Sequence, residues 1–333
     1  MVSENWDIIG HNWAVKSLQQ HISKKTQKQA YLITGPESVG KTTLAIRYAQ
    51  AMNCLQATGD GNPCMECSDC QKIEKMVHPD LTIVQPEEPR GSLKVDQIRE
   101  LQYGLHLAPY EAKYRIALIL NFEQATDNAA NALLTTLEEP LENVVILIIA
   151  ENVESLLPTI VSRCESIRLN PVPSGTLTDQ IQTIYGITSD EARFLTQISG
   201  GRPGYCIRLH LNPQLLEQRA EWLDTLNTLL VSNRVERFAY VDEWTKKGEN
   251  VYPQLETWLG FWRDVLLMNR NENFKITNID YSESIKRLAK TLDNKKIIQI
   301  VIRFEETFRH LDHHVNSRLA IEDLMLILPF NPN

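Results

Sequence analysis

The segment from Tyr31 to Thr43 constrains the fold of this chain more strongly than any other. It begins with a short apolar run, Tyr31 to Ile33, which predicts a buried strand. The residues Gly35-Pro-Glu-Ser-Val-Gly40-Lys41-Thr42 then match the pattern G-x-x-x-x-G-K-[ST], and Thr43 to Ala51 continue with apolar residues at helical spacing. Because strand, glycine-containing loop and helix follow in the required order, the segment predicts a phosphate-binding loop.

The glycines, the lysine and the threonine of this loop each have a role in holding phosphate. Glycines let successive backbone N–H groups curl around phosphate oxygens, and the helix N-terminus adds the positive end of its dipole. Lys41 should reach the β- and γ-phosphates, and the Thr42 hydroxyl should lie on Mg²⁺. The alternative is a chance glycine turn before a helix. A chance turn would not require a strand before it and a helix after it, whereas the phosphate-binding loop requires both. We therefore expect ATP or ADP, with Mg²⁺, to be bound by Gly35, Pro36, Glu37, Ser38, Val39, Gly40, Lys41, Thr42 and Thr43.

Net charge and apolar composition exclude two broad classes of protein. The formal charge of −8 argues against a whole molecule that binds nucleic acid electrostatically, so any DNA contact must come from a local patch or from partners. Hydrophobic residues make up 43% of the chain, yet no apolar stretch approaches the length of a membrane span. The start, Met1-Val-Ser-Glu-Asn-Trp6, has neither a basic region nor an apolar signal core. We expect a cytoplasmic protein with no membrane contact.

Strands and helices alternate through the first half of the chain. Short apolar runs predict strands, and helical patterns separate them. This alternation predicts an α/β fold with a parallel, doubly wound sheet. The expected strands are Tyr31 to Ile33, Leu81 to Val84, Tyr114 to Leu120, Asn143 to Ala150 and Ser166 to Leu169.

A proline-rich segment, Asn170 to Gly175, marks a domain boundary. Beyond it strand signals almost vanish, and Leu177 to Leu209 predict two or three short helices. From Pro213 onward amphipathic helices dominate. Since 333 residues exceed one ordinary core, two or three domains are expected. The apolar faces of these helices are compatible both with an ordinary helical core and with a helical oligomerisation module.

Four of the six cysteines lie close together after the loop helix. Cys54 is followed by Cys64-Met-Glu-Cys67-Ser-Asp-Cys70, that is, one cysteine and then two successive C-x-x-C steps. Four thiolates at this density can surround a tetrahedral Zn²⁺. A redox dithiol or unrelated buried cysteines are the competing interpretations, but neither accounts for all four, and a reducing compartment disfavours disulfides. The sequence therefore predicts structural zinc at about residues 54–70. His78 is interpreted as an ordinary loop histidine.

Several motifs together resemble one family, the bacterial DNA polymerase III clamp-loader subunits. They are the phosphate loop, the cysteine insertion after its helix, Ala129-Ala-Asn-Ala-Leu-Leu-Thr-Thr-Leu-Glu-Glu-Pro140, Pro158-Thr-Ile-Val-Ser-Arg163-Cys164 and Asn316-Ser-Arg-Leu-Ala-Ile-Glu322. The resemblance spans almost the whole chain. It implies an AAA+ P-loop core over residues 1–170, a small helical lid over 171–212 and a helical collar, used for oligomerisation, over 213–333.

The family contains motor subunits (gamma/tau) and non-motor subunits (delta, delta-prime), and two positions distinguish them here. Hydrolysis needs an Asp at the end of the central strand for Mg²⁺ and a neighbouring Glu that orients water. These positions align with Leu120 and Asn121, which can do neither. Glu123 is the nearest acid but lies beyond the expected strand end. The lid arginine that contacts the γ-phosphate aligns with Gly204, and the first sensor position falls at Glu151-Asn152.

A phosphate loop kept without the motor residues resembles the delta-prime type. In the family, the arginine of Ser-Arg-Cys completes the neighbouring motor subunit's active site, which implies that Arg163 is an arginine finger supplied in trans. The implied partners are gamma/tau and delta subunits in a hetero-pentamer, the sliding clamp, and primer-template DNA through the complex. We expect a component of a DNA-directed DNA polymerase (nucleotidyltransferase) holoenzyme in DNA replication, without efficient ATPase of its own. An active gamma/tau-type ATPase and an unrelated P-loop regulator are the alternatives.

Overall fold

A computed structural model describes residues 6–88, 90–139, 141–248, 250–271, 274–313 and 315–330. Its contacts divide the chain into two compact units. The first comprises Met1–Ala192 and Gly201–Tyr205, and the second comprises Arg193–Gly200 and Cys206–Asn333. The division of the chain into core, lid and collar stays a prediction.

The first unit contains one sheet of five parallel strands. Their spatial order is β2-β3-β4-β1-β5. The strands are β1 (Ala30–Thr34), β2 (Leu81–Val84), β3 (Arg115–Ile119), β4 (Val144–Ala150) and β5 (Glu165–Arg168). Each matches a strand expected from an apolar run, so the parallel α/β fold class is confirmed. Beyond Arg168 the part of the chain that the structure describes forms helices and loops but no strand.

Helices cover both faces of this sheet. Every residue of β1, β3 and β4 is buried, as expected of a parallel sheet. Tyr31 and Ile33 pack on one face in a cluster that includes Leu44. Leu32 packs on the other face in a cluster that includes Leu133. The helices of the first unit are α1 (Asn12–Ser23), α2 (Lys41–Asn53), α3 (Ser68–Glu74), α4 (Val95–Leu105), α5 (Asp127–Glu138), α6 (Pro158–Val161) and α7 (Ser174–Tyr185). The residues of α8 (Ser189–Ile198) and α9 (Pro203–Leu211) are divided between the two units.

Helix boundaries follow local capping chemistry. The Thr126 hydroxyl accepts the backbone N–H of Ala129 at 3.2 Å and so begins α5. The same helix ends at Glu138, inside the Leu-Glu-Glu-Pro motif, whose Pro140 lies outside the described residues. Helix α3 was not expected from the sequence. Its N-cap is Cys67, whose sulfur accepts the backbone N–H of Cys70.

The second unit is helical and has its own core. Trp258, Phe261, Trp262 and Phe304 are fully buried in it. Arg237 is also buried there and donates to backbone carbonyls at the ends of two helices, which satisfies acceptors that helix geometry leaves open. The helices are α10 (Gln214–Val231), α11 (Arg234–Lys246), α12 (Tyr252–Arg270), α13 (Ser282–Thr291), α14 (Asn294–Asp312) and α15 (Ser317–Ile327).

Hydropathy along the helices bears on the membrane question. None of the helices in the described residues combines the length and the apolar character that a bilayer span requires.

Candidate functional site

The phosphate loop joins the carboxyl end of β1 to the start of α2. Gly35 has φ +147°, and a Cβ there would lie 2.2 Å from the backbone oxygen of Leu169. Gly40 has φ +110° and is the N-cap of α2, where it contributes no side chain. Both glycines are thus required by backbone geometry. The first N–H groups of α2 have no intrahelical acceptors, which is the arrangement that binds anions.

Four contacts hold this loop in place. The Lys41 ammonium donates to the carbonyls of Gly35 and Pro36, the latter at 2.9 Å. His11 Nε2 donates to the Val39 oxygen at 3.2 Å, and burial lowers the pKa of this histidine. The backbone N–H of Gly204 donates to the Ser38 oxygen at 2.9 Å. Lys41 therefore rests on its own loop and must leave these carbonyls to reach a phosphate.

Burial and three acidic side chains act in opposite directions on the pKa of Lys41. Burial lowers the pKa of Lys41, while attraction to Glu151, Glu123 and Glu37 opposes that shift. Glu123 accepts the backbone N–H of Glu151 at 3.1 Å. Burial raises the pKa of the Glu123 carboxyl, and nearby backbone N–H groups and Lys41 act in the opposite direction. The Glu151 carbonyl in turn accepts the Gly35 N–H at 3.0 Å, so Glu123 is linked to the phosphate loop through Glu151, with one carboxylate oxygen already used by a backbone donor.

The two residues that follow β3, Leu120 and Asn121, carry no carboxylate. Leu120 follows β3 directly, and its backbone N–H donates to the Val84 oxygen. Asn121 comes next in a left-handed conformation, φ 53°, and begins the 3₁₀ turn Phe122–Gln124. A leucine side chain offers Mg²⁺ no oxygen, and a neutral amide is a poor base for water.

The segments around Asn152 and Gly204, which the resemblance aligns with the two sensors, also make local contacts. The Asn152 side-chain oxygen accepts the backbone N–H of Ser155 at 2.9 Å. Arg202 stacks its guanidinium over the Tyr205 ring, 4.8 Å from the centroid. A Cβ at Gly204 would lie 3.0 Å from the Ser38 oxygen, so this position is filled by close backbone contact with the phosphate loop.

The four predicted zinc ligands come together just beyond the end of α2. The sulfurs of Cys54, Cys64, Cys67 and Cys70 all lie within 4.8 Å of one another. The sulfurs of Cys64 and Cys70 are 3.9 Å apart, close to the ~3.8 Å edge of a tetrahedral zinc–thiolate site. Burial disfavours the Cys64 thiolate, but backbone N–H groups outweigh it and lower the pKa of this thiol to about 7. The donor set and spacing therefore fit Zn²⁺.

This cysteine module is attached to helix α2. The Gln50 side chain is buried and donates to the Cys70 oxygen at 2.7 Å and to Glu74 at 3.0 Å. Arg47 forms an ion pair with the same Glu74. The helix that starts at the phosphate loop thus carries the module at its other end.

His78 is not the ordinary loop histidine that the sequence suggested. It is 2% exposed, and its Nδ1 accepts the backbone N–H of Asp80 at 3.0 Å. Its Nε2 faces carboxylate oxygens of Asp69 at 3.9 Å and Glu111 at 3.6 Å. Since Nδ1 accepts a hydrogen bond, the neutral ring carries its proton on Nε2, so this nitrogen has no lone pair for a metal. The group is therefore not a second metal site in this tautomer.

Arg163 lies at the amino-terminal ends of the strands, whereas the phosphate loop lies at their carboxyl-terminal ends. It precedes β5, and β5 runs parallel to β1 with Glu165 beside Tyr31. The phosphate loop follows the other end of β1. The Arg163 Nη1 donates to the Thr159 oxygen at 3.0 Å, and its Nη2 lies 2.6 Å from Oε1 of Glu138. The sequence singled out Glu138 only as part of a motif, since pairing between distant helix ends leaves no local pattern.

Two family models match this chain. One, described as DNA polymerase III, delta subunit, covers residues 10–173, and the other, described as DNA polymerase III, delta subunit, C terminal, covers 213–328. The first range contains the phosphate loop, the cysteine module and Arg163. The second lies in the helical unit.

Curated relatives point the same way. The DNA polymerase III subunit delta' of Bacillus subtilis is 29% identical over 94% of this chain and 94% of its own length. The delta' subunit of Pseudomonas aeruginosa is 34% identical over 60% of this chain and 61% of its own. The tau subunit of Bacillus subtilis is 26% identical over 95% of this chain, which spans only 55% of that longer protein. The two models and these relatives agree, and the chain belongs to the DNA polymerase III delta-subunit family.

Proposed function

We propose that this chain is a clamp-loader subunit of the delta-prime type in DNA replication. It holds nucleotide without efficient turnover and supplies Arg163 to the active site of a neighbouring motor subunit. One observation carries the proposal. An exposed arginine lies at the amino-terminal ends of the strands, and the phosphate loop at their carboxyl-terminal ends lacks its own catalytic acids.

Nucleotide binding rests on the loop itself. Gly35 and Gly40 have the backbone conformations that the motif requires, and the start of α2 presents N–H groups to an anion. Lys41 and Thr42 supply the ammonium and the hydroxyl for Mg·ATP or Mg·ADP. Binding exchanges two neutral backbone carbonyl partners of Lys41 for anionic phosphate oxygens, so that donor and acceptor are then both charged and the hydrogen bonds are stronger.

Hydrolysis in cis is not supported by the same site. Leu120 and Asn121 offer neither a Mg²⁺ ligand nor a base. Glu123 is the nearest acid along the chain, but it accepts the Glu151 N–H, and burial raises the pKa of its carboxyl. Mg²⁺ should therefore be held through the nucleotide phosphates and Thr42, more weakly than in a motor subunit.

Zinc has a structural role in this proposal. Four thiolates complete the coordination sphere of Zn²⁺ and leave no open position for catalysis. The metal would be held by Cys54, Cys64, Cys67 and Cys70, and Gln50 would link its site to α2.

The proposed partners are gamma/tau-type motor subunits and a delta subunit. Several relatives of this chain are tau or gamma subunits of DNA polymerase III. Arg163 needs a neighbour whose phosphate loop has its own catalytic acids, because an arginine finger acts on charge that develops during phosphoryl transfer. The sliding clamp and primer-template DNA are reached through the assembled complex.

The decisive experiment replaces Arg163 in the assembled complex. Arg163→Ala should slow clamp- and DNA-stimulated ATP hydrolysis by about 10³-fold at the site it serves, while folding and assembly stay intact. Arg163→Lys should rescue poorly, since an ammonium cannot reproduce the planar fork. The control is Arg99→Ala, which removes an exposed arginine of α4 that pairs with Asp96 on the same helix. Unchanged hydrolysis and clamp loading with Arg163→Ala would make the chain a passive scaffold.

The rival proposal, an active motor subunit, predicts a different result. The isolated chain would then hydrolyse ATP at ordinary motor rates, and Lys41→Ala would abolish that activity. Under our proposal the isolated chain binds nucleotide and turns it over barely, whether or not clamp and DNA are added.

A further inference from the structure

Glu138 and Arg163 form an ion pair between two helix ends. Glu138 is the last residue of α5, and Arg163 follows α6. The guanidinium is held on two sides, by the Glu138 carboxylate at 2.6 Å and by the Thr159 carbonyl at 3.0 Å. About a third of the Arg163 side chain and half of the Glu138 side chain remain exposed to solvent. The arginine is therefore oriented at the surface rather than free in it.

The position of Glu138 is not explained by helix stability. A helix C-terminus carries partial negative charge, so an acid there is unfavourable. The last turn of α5 ends in Glu138, continues to Glu139, and has no basic residue of its own. The Arg163 guanidinium is the cation that compensates the negative charge of Glu138 in the structure. This pairing accounts for an acid at the unfavourable end of α5.

The pair leaves donors available on the guanidinium. Arginine has five N–H donors in a planar fork. The described contacts of Arg163 involve Nη1, toward Thr159 and Ser162, and Nη2, toward Glu138. Nε–H has no partner among the described residues. A phosphate can thus approach the remaining donors while Glu138 and Thr159 keep the fork in one orientation.

We propose that Glu138 is a positioning residue for Arg163, an inference that rests on the proposed arginine-finger function. Its carboxylate holds the guanidinium in the orientation that a neighbouring subunit's nucleotide meets. The ordering entropy of a long side chain is then lost in the free chain rather than at the moment of hydrolysis. Without Glu138, Arg163 still reaches the neighbour but spends less time correctly oriented.

The first test uses the assembled complex with its motor subunits, clamp and DNA. Glu138→Ala should lower kcat about two- to fivefold, which corresponds to about 0.4–1 kcal/mol and lies within the range of an exposed ion pair. The KM for ATP should stay the same, since the arginine acts on the transition state. Glu138→Gln should be intermediate, because its amide oxygen still accepts a hydrogen bond. The matched control is Glu139→Ala, which removes the same charge one residue along and should leave kcat unchanged.

A double variant separates this inference from the proposed function. In an Arg163→Ala background, Glu138→Ala should have no further effect on kcat. If Arg163→Ala itself does nothing, the arginine-finger function fails. If Arg163→Ala slows hydrolysis but Glu138→Ala does not, or if Glu138→Ala acts equally in both backgrounds, only the positioning role is overturned.

A second test needs no partner and no activity. The arginine reagent phenylglyoxal can be applied to the full isolated chain, and modification of Arg163 followed by peptide mass spectrometry. Glu138→Ala should raise the modification rate of Arg163 about two- to fivefold at low salt, as expected for loss of a surface pair, and Glu139→Ala should not. An unchanged rate in Glu138→Ala would show that the pair does not form in solution.

Discussion

The two ends of helix α2 carry two different kinds of site. At its amino end, Gly40 and Lys41 belong to a phosphate loop whose lysine rests on the loop's own carbonyls. At its carboxyl end, Cys54 joins three further cysteines with sulfurs already at zinc-binding distances. The cysteine site is complete within this chain. The phosphate loop has the glycine geometry of its motif, but no carboxylate stands at the two positions that follow β3.

This difference separates what a chain needs for folding from what it needs for chemistry. A structural metal must find all its ligands in the same chain, because its binding free energy is folding free energy. A nucleotide site at a subunit boundary can take its catalytic parts from different chains. Four experiments test the contrast, from the largest expected effect to the smallest.

The cysteine end should be the more sensitive to a single substitution. Cys70→Ser removes the most buried ligand and should cost much of a structural zinc's binding free energy, which is about 10 kcal/mol in small zinc domains. We expect about one Zn²⁺ per wild-type chain by metal analysis, and a large loss of Tm on chelation or in the variant. Cys164→Ser, outside the cluster, should keep both metal and Tm. An equally stable zinc-free protein would refute a structural metal.

Backbone geometry should matter at the phosphate end even without nucleotide. Gly35→Ala forces a Cβ against the Leu169 oxygen at a positive φ, and we expect a loss of about 3 kcal/mol of unfolding free energy. Gly104→Ala is the control, because a Cβ there meets open space within α4 and should stabilise by about 0.5–1 kcal/mol. Denaturant unfolding of both variants measures the difference. Equal stabilities would mean that the loop relaxes freely.

Nucleotide binding should depend on the lysine. Lys41→Ala should weaken binding of a fluorescent ATP analogue by about 10- to 100-fold, as expected for loss of hydrogen bonds to a charged group. At micromolar nucleotide this abolishes the signal. Lys16→Ala, on the exposed face of α1, should bind as the wild type does. Wild-type affinity in Lys41→Ala would remove the phosphate loop from nucleotide binding.

The smallest effect concerns Glu123. If it only adds negative charge near the phosphates, Glu123→Gln should raise Mg·ATP affinity about two- to fivefold, a Coulomb effect of 0.5–1 kcal/mol at partial burial. If it instead ligates the metal, the variant should lose affinity and Mg²⁺ dependence together. Titration of nucleotide at several Mg²⁺ concentrations distinguishes the two outcomes, and the second would make Glu123 the missing strand-end acid.

Much of the fold could be predicted from the sequence because its signals are local. The bounds of β2 agree at both ends with the expected run Leu81 to Val84, since a buried parallel strand appears as continuous apolar residues. The cysteine cluster was also predictable, because C-x-x-C spacing places two sulfurs on one side of a turn. Helix α3 was missed because its seven residues, Ser68–Glu74, are too short for a periodic pattern.

The sequence by itself determined the parallel α/β class and the grouping of four cysteines, and it predicted the phosphate loop and the absence of acids at Leu120 and Asn121. Each depends on residues that are neighbours along the chain or repeat at a fixed period. Only the tertiary structure decided that Glu123 contacts the backbone of Glu151, that His78 is buried near two carboxylates, and that Glu138 pairs with Arg163. Those contacts join separate elements, and their partners are chosen by how helices pack on the sheet, which no local pattern encodes.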